Sequence, residues 1–188
     1  FHPDPSPAML PAAKPKATSH EVAEMVRRAA PQVTDAVLVV GKRGYYARTM
    51  GPTPGNDRGI YDDALFIVWP EGLAAFNGNV DPAAWRPGIA SLKPGVWRYK
   101  PGQHGITFKR AGYPYPAFVQ AAPVTVARDG QGDDTGWFGI NIHRGSNTST
   151  SSLGCQTVPP KQWDFFRDTL NAALKRHGQK TFPYILIA

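Results

Sequence analysis

The sequence predicts a mainly β domain of the α+β class, with a short helix before the strands and a longer one after them. Three observations predict it. Short apolar runs recur between turn residues, the connections carry Pro-Gly and Asp-Gly pairs, and 3.6-residue periodicity is confined to two segments near the chain ends.

In chain order, residues 1–17 hold Pro3, Pro5, Pro7, Pro11 and Pro15 and little that can be buried. They read as a Pro-rich tail or linker preceding a single domain at 18–188. Thr18-Ser-His-Glu21 is a capping box, and Val22, Met25, Val26 and Ala29 follow at helical spacing before Pro31. Strands are then expected at 36–40, 45–48, 64–69, 95–99, 106–109, 117–120, 124–127 and 137–143. Turn sequences separate them: Gly51-Pro-Thr-Pro-Gly55, Lys93-Pro-Gly95, Lys100-Pro-Gly102 and Asp129-Gly-Gln-Gly132. A late helix over 161–176 follows Pro159-Pro160, with Trp163, Phe166, Leu170 and Leu174 on one face and Gly178 after it. The chain closes on a strand at 182–187.

Twenty-one basic against 14 acidic residues give a formal charge of +7, which favours polyanionic surroundings. The basic residues are scattered singly, without an arginine-rich run or a basic helical stripe, so no nucleic-acid partner is expected. No stretch approaches 18 apolar residues, so no membrane span is expected either. One cysteine excludes an internal disulfide and a cysteine-rich zinc site. His2, His20, His104, His143 and His177 show no paired ligand spacing, so neither a metal nor another cofactor is expected.

The segment that carries chemistry is Trp137-Phe-Gly-Ile-Asn-Ile-His143, a loop of Ser, Thr, Asn and Gly, and then Ser152-Leu-Gly-Cys155-Gln. If 137–143 is extended, Phe138, Ile140 and Ile142 share one face, and Trp137, Asn141 and His143 share the other. Gly154 permits a tight backbone before the thiol. A strand-end histidine and a post-glycine cysteine joined by such a loop can be spatial neighbours, as thiolate catalysis requires. Taken singly, each residue is more simply a core-edge histidine or an inert buried thiol.

Together, and in this order, the segment resembles the L,D-transpeptidase catalytic (YkuD-type) family, whose motif is a strand histidine, a variable loop and Ser-His-Gly-Cys. The resemblance implies an L,D-transpeptidase-like β-sandwich in which Cys155 is the nucleophile and His143 its base. It makes Gly154 and Ser152 motif positions, and assigns Gln156 or Gly154 as a main-chain oxyanion donor beside Cys155. A backbone carbonyl near Arg144 or Gly145 is then expected to orient His143, ahead of Asp133 or Asp134. Leu153 stands where the family has histidine, and Gln156-Thr157 replaces its following residues, which bears on subclass.

The function implied is a cysteine-dependent peptidoglycan enzyme, working in the periplasm, in the cell envelope or after secretion. It acts on stem peptides through a thioester, as an L,D-transpeptidase or L,D-carboxypeptidase. Two alternatives stay open: a lytic endopeptidase of the phage or secretion-system type, and a noncatalytic wall-binding module. Arg144 is a candidate for a stem-peptide carboxylate. Tyr99 and His104, on an expected turn, and Trp137 are further candidates for lining the cleft. Cys155 Sγ and a His143 nitrogen are expected within hydrogen-bonding range, and an imidazole-activated Cys155 is expected to alkylate faster than a free thiol.

Overall fold

The computed structural model describes residues 9–47, 49–50, 58–147 and 149–188. Thr18 caps α1 (Ser19–Ala29) reciprocally: its hydroxyl accepts from Glu21 N–H at 3.1 Å, and the Glu21 carboxylate accepts from Thr18 N–H at 2.9 Å. Strands β1 (Leu38–Lys42), β2 (Asp63–Trp69), β3 (Gly72–Gly78), β4 (Ala90–Leu92), β5 (Gly95–His104), β6 (Tyr115–Gln120), β7 (Val124–Arg128), β8 (Gly132–Gly136), β9 (Ile142–Arg144) and β10 (Gln156–Val158) follow. Helix α2 (Pro160–Arg176) and β11 (Phe182–Ile187) complete the described chain, which is mainly β as expected.

Eight strands form one mixed sheet in the order β10-β9-β6-β5-β11-β1-β2-β3, and β4-β7-β8 form a second, smaller one. The β1–β11 and β9–β10 pairs are parallel. Just beyond β3, Asn79 pairs with Thr157 of β10 through two main-chain hydrogen bonds of 2.9 and 2.8 Å. The two edges of the large sheet therefore meet, and neither presents a continuous open edge at that point.

Period-two alternation sorts the strands between two apolar layers. Val39, Leu65, Ile67, Tyr184 and Leu186 join the core with α2 and the small sheet, while Leu38, Val40, Ala64, Phe66 and Ile185 face the layer containing Val22 of α1. Trp163, Phe166, Leu170 and Leu174 are buried, so the apolar face read for α2 is the one that packs.

Several expected elements differ. Residues 45–47 and 106–107 are turns, not strands, and Arg48 and the Gly51–Gly55 turn lie outside the described residues. The segment 137–141 is not a strand; only 142–144 is. Its main-chain donors are served by a side chain instead: Gln120 Oε1 accepts from Phe138 N–H at 3.1 Å and Ile140 N–H at 3.0 Å, and Gly139 has φ +66°.

The segment expected to be a free tail is docked where it is described. Met9 O accepts from Tyr61 N–H at 2.7 Å, Ala13 O accepts from Tyr46 Oη at 2.8 Å and Asn77 Nδ2 at 3.1 Å, and Pro15 is buried. Its carbonyls supply acceptors that the domain's polar groups need, and Ala17 packs against the layer that contains Val22.

Candidate active site

His143 comes from β9 and Cys155 from the residue preceding β10, and the parallel pairing of these strands aligns Gln156 with Ile142 and Thr157 with His143. Both side chains line one cavity of about 1520 Å³. His143 is 3 % exposed, and its Nδ1 lies 2.7 Å from Arg144 O. A carbonyl only accepts, so Nδ1 carries the proton and Nε2 is the lone-pair nitrogen. The orienting carbonyl is thus Arg144 O. Asp133 and Asp134 are engaged elsewhere, with Lys93 and Arg128. Tyr115 Oη sits 3.2 Å from the same Nδ1 and 3.4 Å from Arg144 O, closing the polar side of the ring.

His104 lies flat on His143, with centroids 3.7 Å apart and ring planes 11° from parallel. Asn141 Nδ2 donates to His104 Nδ1 at 3.0 Å and holds that ring in place. Burial, and then the neighbouring His104 ring, pushes His143 down to about 3; burial also lowers His104.

Cys155 is partly exposed to the cavity, and main-chain groups of the irregular 139–141 segment hold its sulfur. The thiol donates to Gly139 O at 3.4 Å and accepts from Asn141 N–H at 3.3 Å. The expected thiol–imidazole hydrogen bond is not formed, because these two groups occupy the donor and acceptor directions of the sulfur. Burial raises the thiol to about 11, against a partial opposing effect of the Asn141 N–H. At neutral pH the resting pair is therefore thiol and neutral imidazole, not thiolate and imidazolium.

The turn before the thiol is braced at Ser152 and Gly154. Ser152, 2 % exposed, accepts from Gly154 N–H at 3.1 Å and donates to Cys155 O at 2.6 Å. Gly154 has φ +137°, and a Cβ there would sit 2.7 Å from Ala90 O, so glycine is required on both counts.

Two expected oxyanion donors are spent within this frame. Gln156 N–H bonds Asn141 O at 2.8 Å, and Gly154 N–H bonds Ser152. The Gln156 side chain is buried, donating to Val80 O and Gly154 O and accepting from Tyr184 Oη. Cys155 N–H has no acceptor among the described residues and is the donor left for a ligand.

The remaining candidates separate. Arg144 lines the cavity, its guanidinium 4.8 Å from the Tyr115 ring centroid. His104 lines it too, from within β5 rather than from a turn. Tyr99 is fully buried and bonds Ile140 O at 2.6 Å, so it braces the 137–141 segment instead of lining the cleft. Trp137 is 63 % exposed and lies outside the cavity wall, because the glycine-bent path of 137–141 breaks the alternation that would have aligned it with His143.

Three contributors were not assigned site roles from the sequence: Asn141, which links His104 to Cys155; Tyr115, beside His143; and Arg110, in the cavity wall. Asn141 shares the i, i+2 face with His143, which was the available signal. Tyr113, Tyr115 and Arg110 stand close in sequence, but only the β5–β6 hairpin brings Tyr115 to His143, Tyr113 to His104 and Arg110 to the cavity wall. Comparisons with family models, with curated proteins and with solved structures found no match to this chain.

Proposed function

We propose that this chain is a cysteine acyltransferase of peptidoglycan stem peptides, built on an L,D-transpeptidase-like fold. The observation that carries the reading is the His143 tautomer: Nδ1–H is committed to Arg144 O, and Nε2 is left unprotonated in the cavity that Cys155 also lines. That is the arrangement in which an imidazole takes a proton from a nearby thiol.

In the first stage Sγ bonds to the scissile carbonyl carbon while the thiol proton passes to His143 Nε2, and Cys155 N–H donates to the developing oxyanion. The tetrahedral centre collapses with cleavage of the C–N bond; the departing amine takes the proton from Nε2 and leaves a thioester on Cys155. An acceptor amine or water then attacks the thioester, His143 receives its proton, and the returning sulfur recovers it. An amine acceptor makes the enzyme a transpeptidase; water makes it a carboxypeptidase or an endopeptidase. Since the resting pair is neutral, proton transfer accompanies attack, and substrate must displace the Gly139 and Asn141 contacts of the sulfur.

A wall-binding module is the second reading, and the raised thiol pKa and missing thiol–imidazole bond favour it. Mass spectrometry of purified muropeptides incubated with the protein separates the two. Loss or exchange of a terminal D-residue, crosslinking or splitting of dimers is expected, and Cys155→Ala should reduce it by at least ~1000-fold with the fold intact. Unchanged muropeptides with wild-type protein would leave the binding module.

A further inference from the structure

The arginines of this chain fall into two groups. Eight of the eleven described ones pair with a carboxylate: Arg27 and Arg28 with Glu24, Arg43 with Asp81, Arg58 with Asp129, Arg98 with Asp35, Arg128 with Asp134, Arg167 with Asp164 and Asp168, and Arg176 with Glu71. Arg86, Arg110 and Arg144 have no carboxylate partner among the described residues. Arg110 and Arg144 are the two described arginines lining the Cys155 cavity, whose wall also includes Lys100 and, among the described residues, contains no Asp or Glu. The described wall is thus cationic, with no acidic residue within it to compensate.

Both guanidiniums are held by rings instead of by charges. Arg110 lies 4.7 Å from the Tyr113 ring centroid and 5.3 Å from that of Phe108; Arg144 lies 4.8 Å from Tyr115. Tyr113 and Tyr115 pack with centroids 5.4 Å apart, so the two cations cap one continuous aromatic row beside the His104–His143 stack. Ring packing restrains a guanidinium and leaves its planar N–H fork available to carboxylate oxygens.

We propose that Arg110 and Arg144 form a dicarboxylate subsite, so that the acyl donor must present two free carboxylates and an amidated stem is a poor ligand. This rests on the stem-peptide reading above and specifies the substrate class it accepts. Arg110 takes one carboxylate from the β5–β6 hairpin and Arg144 takes the other from β9, on the chain that also supplies the carbonyl orienting His143.

The test uses full-length Cys155→Ala protein and calorimetry. The probes are a synthetic stem tetrapeptide with all carboxylates free and versions in which one or both side-chain or terminal carboxylates are amidated. Each relevant amidation is expected to weaken binding by ~10-fold or more, the usual scale for a charge-assisted hydrogen bond. Arg110→Gln and Arg144→Gln, added singly, should weaken the free acid by a similar factor and scarcely affect the peptide amidated at the matching carboxylate. Equal binding of acid and amide, or equal weakening of both by the arginine substitutions, overturns the subsite but leaves the stem-peptide reading standing. If neither peptide binds, both fall. Circular dichroism and melting curves of each variant exclude unfolding as the cause.

Discussion

Strand β10 has two flanks on which polar groups are treated in opposite ways. Toward β3, Thr157 and Asn79 exchange main-chain hydrogen bonds, Asp63 accepts from Gly44 N–H at 2.6 Å and Val80 N–H at 2.8 Å, and Arg43 faces Asp81 at 3.3 Å. The main-chain groups and carboxylates named here are spent on closing the sheet, while Thr157 Oγ1 is buried without a hydrogen-bond partner among the described residues, and burial and the neighbouring Asp62 and Asp81 charges hold Asp63 well above the usual carboxylate range. Toward β9 lie Cys155 N–H, His143 Nε2 and the Arg144 guanidinium, none of which has a conventional polar partner among the described residues. Main-chain groups in the structural seam are paired by the fold, whereas groups left unspent in a cavity are available to a ligand.

The comparison breaks most sharply at Gly154, which joins the two flanks. Gly154→Ala adds a Cβ 2.7 Å from Ala90 O at φ +137°, so the turn must move and carry Cys155 with it. Muropeptide turnover is expected to fall by more than ~100-fold, the scale of an ångström-level misplacement of a reacting group. Activity within a few fold of wild type would show that the thiol needs no such frame.

Asn79→Ala tests the structural flank alone. Its side chain donates to Asp81 O inside the seam, and the substitution removes that buried hydrogen bond. Chemical denaturation should show a loss of ~2 kcal/mol, within the range for removing one partner of a buried hydrogen bond. Turnover per folded molecule should change less than about threefold, as expected for a change that misses the catalytic groups. A larger loss of turnover than of stability would make the seam part of the site.

How far these flanks were legible in the sequence depends on where their hydrogen bonds go. Helix α1, β2, α2 and β11 were readable because apolar period and caps are local signals. Strands β3, β4, β8 and β10 were missed. Gly132-Asp-Asp-Thr-Gly136 has no apolar alternation because it is an exposed edge, and Gln156-Thr-Val158 is buried while bearing two polar residues. That His143 and Cys155 line one cavity was expected from their order, the loop between them and the family resemblance these residues carry. The bent path of 137–141 was not, because it depends on Gln120, which is remote in sequence and replaces a neighbouring strand as acceptor. That bend removed Trp137 from the site and brought Gly139 O and Asn141 N–H to the sulfur.

The smallest expected effect concerns the sulfur itself and reverses the direction inferred from sequence. A thiol raised from 9.0 to about 11 keeps its proton to higher pH, so at neutral pH it holds about a hundredfold fewer thiolates than an unshifted one. The more basic thiolate is intrinsically the better nucleophile, and a Brønsted slope near 0.4–0.5 returns about tenfold of that deficit. Iodoacetamide should therefore alkylate Cys155 roughly tenfold more slowly than a free thiol model at neutral pH. The rate should keep rising as pH passes 9 and level only near the raised value. His143→Ala should change the resting rate little, since the imidazole makes no hydrogen bond to Sγ before substrate arrives. Mass-resolved labelling across a pH series measures all three. Rapid labelling that plateaus below pH 8 and collapses in His143→Ala would show a thiolate–imidazolium pair at rest, making the cavity flank internally charge-paired like the seam.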